Sequence, residues 1–269
     1  MTPEAIQAAA DILADLRLRA NGREQALDDL PEDCRPRTLD EAYAIQDVLR
    51  ALLTARGFGP PVGWKIGCTT PVMQAYLDIP HPCAGTLYRK TLYADEVRLD
   101  SADFFQLGLE CEIAVRLSTD LPARDGGHDA ESVASAVGAV MTSVEIVDHR
   151  FRDFTKVATP SLVADDFFSV GCLHGAAQPL DALDDLASLT GGFSIDGEAR
   201  SEEGTGAAIL GHPLKALAWL ADHLAARGAG LNAGAVVTLG SVVKTVYPTA
   251  GASVEAGFDR LPPVRLEIA

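Results

Sequence analysis

Aromatic residues make up only 6% of the 269-residue chain, and its five cysteines are scattered without a C-x-x-C pair. That odd set (Cys34, Cys68, Cys83, Cys111 and Cys172) argues against a disulfide framework or a thiolate zinc site, and fits reduced thiols in the cytoplasm. Basic residues are also scarce: 22 Lys and Arg stand against 38 Asp and Glu, a formal charge of −16. With no Lys/Arg cluster to offset it, such a surface repels phosphate backbones and anionic bilayers, so neither nucleic acid nor membrane is an expected partner. No apolar run approaches spanning length, and Met1-Thr2-Pro3-Glu4-Ala5-Ile6 does not open a signal peptide. What is plentiful is core-forming material. Hydrophobic residues reach 48% and charged residues 22%, enough for one large domain or a small lobe attached to a larger one.

The first sixty residues read as helical. An Ala/Leu/Ile stripe predicts a helix over 4–20, and Asp40 is placed to cap a second from Glu41 to Arg56, stopped by Gly57. The breaker Gly57-Phe58-Gly59-Pro60-Pro61 then suggests a boundary between a helical lobe, 1–60, and a larger unit, 61–269. Strand patterns dominate beyond it, at 63–67, 109–117, 143–148, 168–173, 192–196, 235–241 and 263–268. Asp196-Gly197 is a two-residue hairpin signal, and helices are expected near 130–141 and 212–227. Pro213 and Gly228 give the latter a matched start and stop. The class is α+β, with a mixed or antiparallel β core.

Three acids stand where a core should be apolar. Strand alternation puts Leu109, Cys111, Ile113, Val115 and Leu117 on one face and Glu110, Glu112, Ala114 and Arg116 on the other, while Glu145 interrupts Val144-Glu145-Ile146-Val147. Two readings stand side by side: an amphipathic strand with a solvated polar face, or carboxylates converging as hard-oxygen ligands for Mg²⁺ or Mn²⁺. In Val62-Gly63-Trp64-Lys65-Ile66-Gly67, Lys65 shares a side with two glycines, which leaves open space around its ammonium. That suits either a surface lysine or a cation reaching a ligand, its pKa lowered by partial desolvation for proton transfer. Together the features describe an anionic substrate clamped between a divalent ion and a lysine. His212 reads as a helix cap, Cys111 as core, His149 as a neighbour of Glu145, and Arg150 or Arg152 as either a contact for a substrate carboxylate or a surface ion-pair residue.

A longer set of motifs runs in order along the chain: Gly63-Trp64-Lys65-Ile66-Gly67-Cys68-Thr69-Thr70, Gly85-Thr86-Leu87-Tyr88, Glu110-Cys111-Glu112-Ile113-Ala114, Val144-Glu145-Ile146-Val147-Asp148, Val163-Ala164-Asp165, and Gly211-His212-Pro213 with Trp219-Leu220-Ala221. From about Asp40 onward the chain resembles the 2-keto-4-pentenoate hydratase and 4-oxalocrotonate decarboxylase branch of the fumarylacetoacetase-like superfamily. The resemblance implies a distorted, mostly antiparallel β-roll with a helical N-terminal lobe, assembled as a homo-oligomer. It implies Mg²⁺ or Mn²⁺ held by Glu110, Glu112 and Glu145, with Lys65 as the active-site lysine, and a small anionic 2-oxo acid as substrate. The implied reaction is hydration of a 2-hydroxy-2,4-dienoate or 2-oxo-enoate in aromatic meta-cleavage catabolism. Decarboxylation of a 4-oxalocrotonate-like diacid, hydrolysis of an acylpyruvate C–C bond, and a weakened small-molecule binder are the alternatives.

The chain departs from the family pattern around the substrate. Cys83 stands where hydratase relatives have an acid before Phe-Gly-Thr-Leu, and Gly108 replaces an arginine two residues before the paired glutamates. Ala164-Asp165-Asp166-Phe167-Phe168-Ser169 replaces Ala-Asp-Asn with its nearby serine, and Leu239-Gly240-Ser241, with Lys244 beyond it, replaces Thr-Gly. Cys83, Asp165, Phe168 and Ser241 are therefore the expected substrate contacts.

Overall fold

The computed structural model describes residues 1–18, 26–200 and 202–269. The N-terminal segment forms α1 (Pro3–Leu18) and α2 (Leu39–Leu53), packed on each other. The predicted positions 19–20 of the first helix lie outside the described residues. The cap of α2 is Thr38, whose side chain accepts from the Glu41 amide, and not Asp40. Asp40 and Glu41 instead occupy the first turn, where the helix dipole favours acids. A π-helical turn, Thr54–Phe58, ends the segment, with Gly57 at φ 102°.

Further along come β1 (Pro61–Gly67), the short α3 (Pro71–Leu77), β2 (Cys83–Tyr88), β3 (Leu92–Ala94), β4 (Glu96–Leu99) and β5 (Gly108–Leu117). They are followed by α4 (Ala130–Ala134), β6 (Val137–Val147), α5 (Thr159–Ala164), β7 (Ser169–His174), β8 (Thr190–Ile195) and β9 (Gly204–Thr205). The chain closes with α6 (Pro213–Ala226), β10 (Val236–Ser241), β11 (Ser253–Phe258) and β12 (Leu261–Ile268). One sheet runs β2-β1-β10-β5-β6-β7-β3 and the other β4-β12-β11-β8-β9. Most pairings are antiparallel, but β1 with β10, β3 with β7 and β4 with β12 are parallel. The α+β class holds, with two mixed sheets.

The expected helix over 130–141 is a correction. Only Ala130–Ala134 is helical, and Val137-Gly138-Ala139-Val140-Met141 opens β6. Its apolar run belongs to a strand buried on both faces, which periodicity alone does not separate from a buried helix. At Asp196-Gly197 the turn forms with positive φ at both residues, 53° and 76°. The return strand is only β9, reached after an irregular segment. His212 caps α6, accepting from the Leu214 amide. A single hydrophobic cluster joins Leu13 and Leu49 of the helices to Ile113, Leu239, Val254 and Leu266 of the sheets.

Candidate active site

Within the larger sheet, β1, β10, β5 and β6 lie side by side, so inward side chains at matching register meet. Glu110 stands directly opposite Glu145, and Glu112 opposite Ser143. One carboxylate oxygen from each of Glu110, Glu112 and Glu145 lies within 4.8 Å of the others. Cys111, Ile113 and Val115 fill the core behind them, as alternation requires. The solvated-face reading of this strand is overturned, because Glu112 is 1% exposed and Ala114 fully buried, with Glu110 and Arg116 half-buried.

Such crowding leaves unmet valence. Glu112 Oε2 accepts from the Gly240 amide at 3.0 Å and Glu110 Oε1 from the Thr245 hydroxyl at 2.6 Å. Glu112 Oε1 and Glu145 Oε1 are buried with no hydrogen-bond donor among the described residues. Burial, and then the neighbouring Glu145 and Glu110 charges, raise the Glu112 carboxyl well above its ordinary range. Burial likewise lifts Glu145 to about 7, against the opposing pull of Lys65. Two buried carboxylate oxygens without a hydrogen-bond donor, beside a third acid and with one lysine against three carboxyls, are hard-oxygen donors short of positive charge, so the set fits a divalent cation.

Lys65 supplies a single opposing charge. Its side chain is 2% exposed, with Nζ 3.4 Å from Glu145 Oε1, too poorly aligned for a hydrogen bond but close enough for ion pairing. The ammonium donates to the Phe167 carbonyl and lies 4.7 Å from the Phe167 ring centroid. Burial alone would lower its pKa, but Glu145 and Glu110 outweigh burial and raise it. The open space expected beside its glycines is filled. A Cβ at Gly63 would lie 1.8 Å from the Val236 carbonyl, and one at Gly67 would lie 2.8 Å from the Phe167 ring. Glycine is required at 63 for the close approach of the β10 backbone and at 67 for the Phe167 ring beside the Lys65 ammonium.

The Phe167 carbonyl is aimed by an unusual backbone. Asp166, Phe167 and Phe168 are consecutive left-handed residues, φ 53°, 47° and 70°. For non-glycine residues this costs roughly 1–2 kcal/mol each, so surrounding contacts must hold it. They do. Arg17 of α1 grips Asp165 Oδ1 at 3.0 Å and Asp166 Oδ2 at 2.9 Å, Arg150 pairs with Asp165 Oδ2, and Asp166 Oδ1 takes the Thr86 amide.

A cavity of about 590 Å³ opens on this cluster, lined among others by Lys65, Glu110, Phe167, Phe168, Ser241 and Lys244. Phe168 and Ser241 thus stand where substrate contacts were expected. Asp165 does not, because its carboxylate is turned to Arg17 and Arg150. Cys83 is fully buried beside Cys68, and the latter reaches the cavity wall instead. His149 bonds Gln106 and the Phe151 carbonyl, and Arg152 faces Asp28, so neither lines the cavity. Sequence reasoning missed Arg17, Thr245 and the Phe167 carbonyl. The latter two had no signal, while the buried partner of Asp165-Asp166 was foreseeable from two adjacent acids in an apolar stretch.

No family model matches the chain. The 2-keto-4-pentenoate hydratase of Burkholderia vietnamiensis is 35% identical over 257 residues, 95% of each chain. A 4-oxalocrotonate decarboxylase of Pseudomonas putida is 31% identical over 97% of this chain and 96% of its own. The solved 4-oxalocrotonate decarboxylase from Pseudomonas putida G7, complexed with magnesium and adipate, superposes with a TM-score of 0.91 at 28% identity, covering 100% of this chain and 99% of that one. On fold, cavity and relatives together, the chain belongs to the 2-keto-4-pentenoate hydratase and 4-oxalocrotonate decarboxylase family.

Proposed function

We propose that this protein is a divalent-metal-dependent lyase that adds water to a 2-hydroxy-2,4-dienoate or 2-oxo-enoate. The observation that carries the reading is the pair of buried, donorless oxygens on Glu112 and Glu145, set beside Glu110 and facing Lys65. Glu110, Glu112 and Glu145 would hold Mg²⁺ or Mn²⁺, which supplies Lewis-acid stabilisation to negative charge developing on the 2-oxo oxygen. Lys65 orients an acidic substrate oxygen by charge and moves a proton to or from the adjacent carbon. Of its three N–H donors one is taken by the Phe167 carbonyl, so others remain for substrate. Phe167 and Phe168 wall the cavity with apolar surface, which limits bulk water around the lysine and strengthens its charge interactions. In this reading the protein works in the cytoplasm as a homo-oligomer on a small anionic 2-oxo acid.

One observation favours a second outcome at the same site. Cys83 is buried away from the cavity, so no carboxyl group stands where hydratase relatives have theirs to handle water. Loss of CO₂ from a 2-oxo-enedioate needs only the same electron sink: the C–C bond to the distal carboxylate breaks, its electrons move through the alkene onto the 2-oxo oxygen to give a dienolate, and the dienolate is then protonated. Incubation of the protein and Mg²⁺ with a freshly generated dienol and, separately, with a 2-oxo-enedioate tests both. A product heavier by one water establishes hydration, loss of CO₂ establishes decarboxylation, and thermal stabilisation without product leaves a binder.

A further inference from the structure

The reverse face of the catalytic sheet carries a second cavity. Cross-strand partners share a face, so Lys65 and Gly85 point inward, while Thr86 and Tyr88 point with Trp64 to the other side. There, a space of about 200 Å³ is lined by Leu16 and Phe58 from the helical segment, Thr86 and Tyr88 from β2, and the buried Asp148 and Arg150. It exceeds the roughly 150 Å³ of a cavity that holds benzene.

Three side chains lining this one space each bury one polar atom with no hydrogen-bond partner among the described residues. Thr86 and Tyr88 are each 3% exposed, and among the described residues their hydroxyls make no bond of acceptable geometry. Arg150, with a side chain 8% exposed, spends Nε and Nη2 on Asp165 but leaves Nη1 unpartnered. Three unmet donors lining one space call for an acceptor oxygen, because leaving them unmade costs about 1–3 kcal/mol each. Charge sets a further limit. The buried Arg17 and Arg150 are already matched by Asp165 and Asp166, and Asp148 adds an excess negative charge, so an anion is disfavoured. Phe58, Tyr93 and Phe104 supply aromatic walls.

We propose that this cavity is a second ligand site, separate from the metal cavity, for an uncharged single-ring molecule whose carbonyl or hydroxyl oxygen is held by Arg150, Tyr88 and Thr86. It stands independently of the catalytic assignment.

The test uses the full-length protein with Mg²⁺ and oxalate added to block the catalytic cavity, and benzamide as the probe. Saturable thermal stabilisation is expected, with the ring located in this cavity by crystallography. Benzoate, of the same shape but charged, and toluene, without the acceptor, should each bind at least about tenfold more weakly. Tyr88→Phe should cut benzamide affinity by about tenfold, consistent with one hydrogen bond to a buried group. Leu16→Phe, which fills the space, should abolish binding with turnover retained. Ordered water alone bridging the three groups, equal binding of benzoate or toluene, or undiminished affinity in both variants would overturn the proposal.

Discussion

Glu112 concentrates the argument at the scale of single residues. A carboxylate 1% exposed, with one oxygen lacking any donor, is a liability in an apoprotein and an asset beside a cation. Its neighbour Glu145 sharpens this into a pH prediction. Glu145 has a folded pKa of about 7 against an ordinary 4.5, so the folded apoprotein keeps a proton that the unfolded chain releases. Apoprotein stability should therefore fall as pH rises from about 4.5 to 7, the reverse of a salt-bridged acid. Divalent cations compete with that proton. Mg²⁺ affinity should tighten as pH rises, by up to about tenfold per pH unit for each proton displaced, and level off only once both Glu145 and Glu112 are ionised; calorimetry in buffers of different ionisation enthalpy would count the protons. Glu110→Gln and Glu145→Gln should each weaken Mg²⁺ binding by about 100-fold or more, beyond the usual effect of altering an outer-shell partner. Lys65→Met should leave Mg²⁺ affinity within a few-fold but slow turnover by about 10²–10⁴. Parallel loss of metal binding would make the lysine structural.

At the scale of elements, legibility followed burial. β5 was readable because its core face alternates cleanly, and that alternation correctly grouped Glu110 with Glu112. The burial of their face was not readable, since it depends on β10 and β6 closing around it from distant positions. β6 was misread at its start because a strand covered on both faces loses its two-residue period. Short β2, β3, β4, β9 and β11 were passed over, β2 hidden within a run of turn-formers and cysteine. The family motifs located the acid cluster and lysine that the structure brings together. They could not reveal that Asp165 faces away, because that is fixed by Arg17, 148 residues earlier. The left-handed turn at 166–168 yields a prediction at this scale. Arg17→Lys keeps the charge but loses the forked grip on two carboxylates. It should lower stability by about 1–3 kcal/mol and slow turnover by about tenfold through a displaced Phe167 carbonyl, with Mg²⁺ affinity unchanged. Equal loss of metal affinity would mean the turn supports the acid cluster instead of the lysine.

Taken whole, the molecule combines a net charge of −16 with an inward acid cluster, and among the described residues no helix is long and apolar enough to cross a membrane. An anionic body draws divalent cations and resists anionic substrates, so the cation is what makes the cavity receptive. Mg²⁺ should accordingly raise the unfolding temperature in a saturable way, by linkage to a site absent from the unfolded chain. The most direct measurement is an anomalous difference map from crystals soaked in Mn²⁺. One strong peak is predicted within about 2.2 Å of oxygens from Glu110, Glu112 and Glu145 together. A map with no peak there, or a cation bound elsewhere while those three carboxylates stay protonated and unligated, would contradict the account.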